Sequence, residues 1–206
     1  MVFRASRKRR ERPAVLVLNG AAREGGATDA VVRSLASGFR SGGGLVRTEN
    51  LRELRIADCL GCRQCRDERS CYYADDMNGL RAQVINARLI VFASPLYFCA
   101  VTGLMKTFLD RLYFFYHDVN RHLTRGKKVL IVTTLGEPRI GFEIRPVVEF
   151  YRRYLKALGM HRVGLRSFPS LMEKEDIRKH PEFLKDARQY GKSLVRCLDP
   201  HNDDKV

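Results

Sequence analysis

Residues 14–44 read AVLVLNGAAREGGATDAVVRSLASGFRSGGG, and this stretch decides the fold. Ala14 to Leu18 is a short apolar run ending at Asn19-Gly20, which is the mark of a buried strand. Thr28 to Arg40 follows with helical patterning; Thr28 is placed to cap its start, and Ser41-Gly42-Gly43-Gly44 ends it. The same alternation continues down the chain. Leu45 to Leu51, Leu89 to Ala93, Lys128 to Thr133 and Val163 to Phe168 read as strands. Asp75 to Asn86, Thr102 to Phe115, Arg145 to Leu158 and Pro181 to Leu198 read as helices. Asp75 and Asp76 suit the positive end of their helix, and Pro181 suits a first turn.

Strands that alternate with helices in this way pair in parallel, because each connection must cross over the sheet. The prediction is an α/β fold, a flavodoxin-like doubly wound five-stranded parallel sheet in the order 2-1-3-4-5. Its ligand crevice lies beyond the carboxyl ends of the strands. That rule gathers three loops at one edge: Asn19 to Ala27, Ser94 to Val101 and Thr134 to Phe142. The first, NGAAREGGAT, bends through Gly20, Gly25 and Gly26 into a helix N-terminus, where backbone amides, the Thr28 hydroxyl and Arg23 suit a phosphate. It has neither the Gly-Lys-Ser/Thr ending of a Walker loop nor a G-x-G-x-x-G fingerprint, so a mononucleotide fits better than a classical NAD site. The second, SPLYFCAVTG, offers Leu96, Tyr97 and Phe98 to a flat, partly apolar ring, or simply as a cover for the sheet end. The third, TTLGEPRIGF, offers the Thr133 and Thr134 hydroxyls and the Gly136 amide to polar ring edges, though glycine and proline also punctuate any long surface loop.

After the second strand comes CLGCRQCRDERSC, which sets Cys59, Cys62, Cys65 and Cys71 in the pattern C-x2-C-x2-C-x5-C. Such compact spacing suits an iron-sulfur cluster of the 4Fe-4S type, whereas structural zinc more often takes two separated C-x2-C knuckles. Zinc, a redox thiol pair and unligated thiols remain alternatives. Arg63, Arg66 and Arg69, interleaved with the thiols, either offset thiolate charge or belong to a solvated loop. Cys99 and Cys197 read as buried structural thiols. His117, His122, His161, His180 and His201 show no metal-ligand spacing, and Leu112 to Tyr116 reads as core or subunit interface.

A chain of 206 residues, 45% of them apolar, supports one compact domain. Residues 1–12 read as a basic flexible arm, 13–199 as the domain and 200–206 as a tail. No apolar run approaches the roughly 20 residues of a membrane span, and no secretory cleavage pattern follows the basic start. The expectation is a cytoplasmic protein, where clustered cysteines mean metal more often than disulfides. The net charge of +15 raises nucleic-acid binding, yet part of it sits in the opening RASRKRRER, with neither interleaved aromatics nor a reader motif behind it. Nucleic-acid contact is therefore not expected to be the main role.

Together, NGAAREGGAT, CLGCRQCRDERSC, ADDM (74–77), SPLYF and TGLMKTFLDR (102–111) resemble the iron-sulfur flavoprotein branch of the NADPH-dependent FMN reductase family, in the same order from Ala14 to Leu158. The resemblance implies a flavodoxin-like fold, FMN, a 4Fe-4S cluster on Cys59, Cys62, Cys65 and Cys71, and a homodimer or homotetramer. It implies phosphate binding by Ala21, Arg23, Gly26, Ala27 and Thr28, and flavin-ring contacts from Pro95, Leu96, Tyr97 and Phe98, with Thr134, Leu135 and Gly136 closing the site. The chain departs from the family's GSPR-x-GGNT pattern: Ala21 stands for serine, Ala22 for proline and Ala27 for asparagine. The lost hydroxyl and amide weaken phosphate retention, at about 1.5 to 3 kcal/mol for each charge-assisted bond.

The function expected is that of an FMN-dependent oxidoreductase in which a 4Fe-4S cluster passes electrons to or from FMN, with NAD(P)H or a ferredoxin-like protein as redox partner. No catalytic nucleophile or base is required, since the cofactors carry the chemistry. The alternatives are a cluster-free NAD(P)H-dependent FMN or quinone reductase and a basic metal-binding regulatory or nucleic-acid-binding protein.

Overall fold

The structure, a computed structural model, describes residues 14–142, 144–196 and 198. The basic arm, the tail from 200 onward, Cys197 and His201 lie outside the described residues.

Alternating apolar side chains along the strands build two cores, one on each face of a parallel sheet. In β1 (Ala14–Asn19), Val15 and Val17 face one side, while Leu16 and Leu18 face the other. The parity repeats in β3 (Leu89–Tyr97): Leu89, Val91 and Ala93 join the first group, and Ile90 and Phe92 the second. Period-2 side-chain direction is what lets a wholly apolar run serve two helical layers. The first face is covered by α1 (Ala27–Ser41) and the C-terminal helix Pro181–Arg196. These two helices approach closely because Gly38 and Gly191 have no side chain. A Cβ on Gly38 would run into the Arg188 carbonyl, and one on Gly191 into the Leu35 carbonyl.

The remaining elements in chain order are β2 (Leu45–Asn50), the short α2 (Gln64–Asp67), α3 (Met77–Asn86), β4 (Ala100–Val101), α4 (Gly103–Arg111), α5 (Asp118–Arg121), β5 (Lys128–Thr134), α6 (Ile144–Ala157) and β6 (His161–Phe168); the closing helix is α7. The parallel order is β2-β1-β3-β5-β6, the expected 2-1-3-4-5 once the added β4 is set aside. Phe92 packs on Phe108 and Tyr151 in the second core, which α3, α4 and α6 cover.

Three expectations are corrected. Thr102 to Phe115 is not one helix: α4 ends at Arg111 and Leu112–Phe115 tightens into a 3-10 turn. Leu112, Phe114 and Phe115 are core, one of the two readings given to Leu112 to Tyr116, and Tyr116 is exposed. Thr28 does not cap α1; Gly26 holds the cap position with no side-chain bond, and Thr28 lies inside the first turn. Asp75 and Asp76 precede α3, which begins at Met77. Asp76 accepts from the Arg55 amide at 2.7 Å, and Asp75 from the Ala57 amide at 3.0 Å and the Met77 amide at 3.2 Å. Among the described residues, no helix is long and apolar enough to cross a membrane.

Candidate functional site

A cleft of about 470 Å3 opens beyond the carboxyl ends of β1, β3 and β5, where the strand order reverses. All twelve residues expected around a flavin line it. Ala21, Arg23, Gly26, Ala27 and Thr28 come from the loop after β1, Pro95, Leu96, Tyr97 and Phe98 from the end of β3, and Thr134, Leu135 and Gly136 from the end of β5. Thr133 does not join them. Its hydroxyl donates to Ser167 at 2.8 Å, because alternate residues of β5 face opposite sides.

The glycine-rich loop is shaped by a buried carboxylate that sequence reasoning missed. Asp29, 4% exposed, accepts from Asn19 Nδ2 at 2.6 Å, from the Gly25 amide at 2.7 Å and from Arg52 Nη1 at 3.1 Å. Asn19 in turn accepts from the Ala21 amide at 3.1 Å, and Arg52 donates to the Ala21 carbonyl at 3.2 Å. Both ends of the loop are thus tied to one carboxylate, with Gly25 in the left-handed region at φ 66°. Gly20 presses against α4; a Cβ there would lie 2.9 Å from Met105 Cβ. A hydroxyl–hydroxyl bond of 2.7 Å between Thr28 and Thr134 joins the first loop to the third. No side-chain hydrogen bond caps the start of α1, and uncapped first-turn amides suit an anion.

Tyr97 and Phe98 stand at the mouth, 53% and 103% exposed, and do not cover the sheet end. The reason is a hairpin hidden in SPLYFCAVTG. Leu96 pairs with Val101 and Tyr97 with Ala100 in antiparallel fashion, leaving Phe98 and Cys99 as the turn at φ 49° and 62°. Two left-handed central residues make the turn that ordinarily takes Asn-Gly, so no sequence signal marked it. Cys99 is accordingly half-buried at the cleft wall, where a buried structural thiol had been expected. In the far wall, Glu137 and Phe142 belong to the third loop expected at this edge, whereas Leu171 to Glu173 went unread, although the loop after the last strand must open here too. Arg23 reaches across to donate to the Met172 carbonyl at 3.4 Å.

The four clustered cysteines line a second, small cavity of about 20 Å3. Cys59 and Cys62 are exposed, Cys65 and Cys71 half-buried. Burial and the neighbouring Cys71 push the Cys65 thiol up. For Cys71, burial acts in the same direction but is outweighed by the Tyr73 amide and the Arg111 guanidinium, so its thiol is held below the ordinary range. Arg111 Nη2 donates to Cys71 Sγ at 3.4 Å, whereas Arg66 and Arg69 face solvent. The charge that meets Cys71 therefore comes from Arg111 of α4, with Arg81 of α3 adding to it, while of the interleaved arginines Arg63 lines the thiol cavity. Among the described residues, no group of three or more His, Cys, Asp or Glu side chains is set to hold a metal ion. Zinc would need four sulfurs about 2.3 Å from one centre, whereas a cubane spreads its ligands over several irons.

A model of the NADPH-dependent FMN reductase family matches residues 13–165. The chain is 28% identical over 181 residues to an iron-sulfur flavoprotein of Archaeoglobus fulgidus, covering 85% of this chain and 77% of that one. It is 29% identical over 99 residues to an iron-sulfur flavoprotein of Methanocaldococcus jannaschii, covering 47% of this chain and 50% of the relative. Its fold is similar to that of an NAD(P)H:quinone oxidoreductase from Methanothermobacter marburgensis, with a TM-score of 0.71 at 17% identity over 89% of this chain and 97% of that one. The chain belongs to the NADPH-dependent FMN reductase family and is a flavin-dependent oxidoreductase with a flavodoxin-like fold.

Proposed function

We propose that the protein binds FMN in the large cleft and a 4Fe-4S cluster on Cys59, Cys62, Cys65 and Cys71, and that it transfers electrons between the two. The carrying observation is α4, which is tied to the loop that walls the cleft and to the thiols. At its start Thr102 donates to the Gly20 carbonyl at 2.7 Å, and at its end Arg111 donates to Cys71. Its nine residues span about 14 Å at 1.5 Å per residue.

The chain's own groups suit both ligands. The uncapped first turn of α1, the Thr28 hydroxyl and Arg23 would hold a phosphate, and Leu96, Tyr97 and Phe98 would lie against a ring. Thr134, Leu135 and Gly136 would meet its polar edge, with Pro95 at the end of β3 paired beside Thr134 of β5. Four thiols around one cavity, one of them beside a buried guanidinium, are the donor set an iron-sulfur cluster takes. When bound, the flavin supplies two-electron and one-electron chemistry and the cluster one-electron chemistry. The residues position these groups and tune them; no side chain is assigned as nucleophile or base. NAD(P)H or a ferredoxin-like protein serves as redox partner, and a homodimer or homotetramer is the assembly expected.

The test is anaerobic purification followed by an absorption spectrum and assays of FMN, iron and acid-labile sulfide on one sample. Near-stoichiometric FMN with about four iron and four sulfide per chain is the expected result. FMN without iron would leave a cluster-free NAD(P)H-dependent reductase, and absence of both would overturn the proposal.

A further inference from the structure

The strongest unexplained feature outside the cleft is a buried ion pair beside the thiols. The Arg111 side chain is 1% exposed and that of Asp75 14%. Arg111 Nη1 donates to Asp75 Oδ2 at 2.6 Å and to the Ala57 carbonyl at 2.7 Å, while Nη2 donates to Asp75 Oδ1 at 3.1 Å and to Cys71 Sγ at 3.4 Å. Asp75 accepts in return from the Ala57 amide. One guanidinium therefore grips the chain just before the cysteine loop, at Ala57, and just after it, at Asp75, and reaches the last thiol of the four. The Tyr73 ring lies under it, with the guanidinium carbon 4.9 Å from the centroid.

A buried, bidentate ion pair is no sure gain in stability over apolar packing. Its geometry does something an apolar pair cannot. It fixes a planar donor against one sulfur by holding the guanidinium at three other points, a task for which the ammonium of lysine lacks the fork. Hydrogen bonds to ligand sulfurs are among the factors that set a cluster's reduction potential, because they stabilise the extra negative charge of the reduced state.

We infer that Arg111, held by Asp75 and the Ala57 carbonyl, is a positioning residue that orients Cys71 and raises the reduction potential of the cluster bound by the cysteine loop. The inference rests on the cluster reading of that loop. Because Thr102, the cap of α4, also holds the Gly20 carbonyl of the loop that walls the flavin cleft, the same helix bears on the geometry at both ends of the electron path.

The experiment is a spectroelectrochemical titration of anaerobically purified protein carrying both FMN and cluster, comparing wild type, Arg111→Lys and the charge-neutral double variant Arg111→Met/Asp75→Asn. The lysine variant keeps the positive charge and removes the fork. The double variant leaves no buried carboxylate unpaired. The expected result is a more negative cluster midpoint in Arg111→Lys and a still lower one in the double variant, with FMN content unchanged. A tenfold change in the reduction equilibrium corresponds to about 59 mV for one electron. Equal midpoints in all three proteins, each retaining full iron and sulfide, overturn the inference and leave the cluster reading intact. Iron lost from both variants in folded, FMN-bearing protein assigns Arg111 a merely structural role and likewise overturns it. Wild-type protein without iron overturns the cluster reading and this inference together.

Discussion

Replacing Asp29 with alanine removes the one group that holds both ends of the flavin-cleft loop. Three donors lose their acceptor: Asn19 Nδ2, the Gly25 amide and Arg52 Nη1, at 2.6, 2.7 and 3.1 Å. Removing one member of a buried ion pair costs about 3 to 5 kcal/mol. The lower end applies here, because the Arg52 side chain is 15% exposed and keeps Glu53 at 3.4 Å. For a domain of this size, a loss of about 3 kcal/mol lowers Tm by roughly 6 to 12 °C. Asp29→Asn should cost less, since its surviving oxygen can keep Asn19 and Arg52 at the Oδ1 position, while its amide would face the Gly25 amide. Thermal unfolding of the FMN-free proteins by circular dichroism measures the stability term. Fluorescence titration with FMN measures the consequence for the cleft, with affinity expected to fall at least about tenfold, or 1.4 kcal/mol. A Tm drop below about 3 °C for Asp29→Ala, equivalent to roughly 1 kcal/mol, would refute the reasoning.

Restoring the hydroxyl and amide that the loop lacks, by Ala21→Ser with Ala27→Asn, should tighten FMN binding by about 1.5 to 3 kcal/mol for each new bond to the phosphate, read by the same titration. Cys71→Ser should abolish iron and sulfide in anaerobically prepared protein while FMN content holds, since the thiol cavity and the flavin cleft have separate walls. Gly191→Ala, which drives a Cβ into the Leu35 carbonyl, should cost about 1 to 3 kcal/mol in denaturant unfolding by forcing α1 and α7 apart. Phe98→Gly should have opposite effects on the two readouts. Relief of a left-handed residue, worth about 1 to 2 kcal/mol and partly offset by glycine entropy, leaves stability level or slightly raised, while loss of the exposed ring weakens FMN binding.

The two sites differ in how firmly the chain builds them. The flavin cleft is walled by strand ends and by hydrogen bonds that cross between loops, such as Thr28 to Thr134 and Thr102 to Gly20. The cysteine loop has little regular structure beyond the four residues of α2, and its exposed Cys59 and Cys62 contrast with Cys71, which Arg111 holds. Asn120 adds one further hold, donating to the Cys65 carbonyl at 3.2 Å from a fully buried position on α5.

The alternation of apolar runs with helical patterns was enough to predict the parallel sheet, its order and the edge where the cleft opens. A parallel strand pair leaves few topologies open, and strand ends inherit their position from the sheet. The three loops that meet at the cleft were legible for the same reason, whereas the choice of twelve residues within and beside them came from the resemblance to the family. What escaped the sequence depends on partners brought together only by folding. Asp29 meets Asn19 and Arg52 across 10 and 23 residues, and Arg111 meets Cys71 across 40. In the chain these are ordinary charged residues on or beside helices, and no local spacing separates them from solvated ones. The β3–β4 hairpin was hidden because its left-handed turn is made by Phe98 and Cys99, a conformation upheld by the surrounding structure and not by their own preference. Local pattern determined where the cleft and the thiols lie, whereas tertiary packing decided which charges hold them in shape, because a buried charge finds its partner only when the elements carrying both have docked.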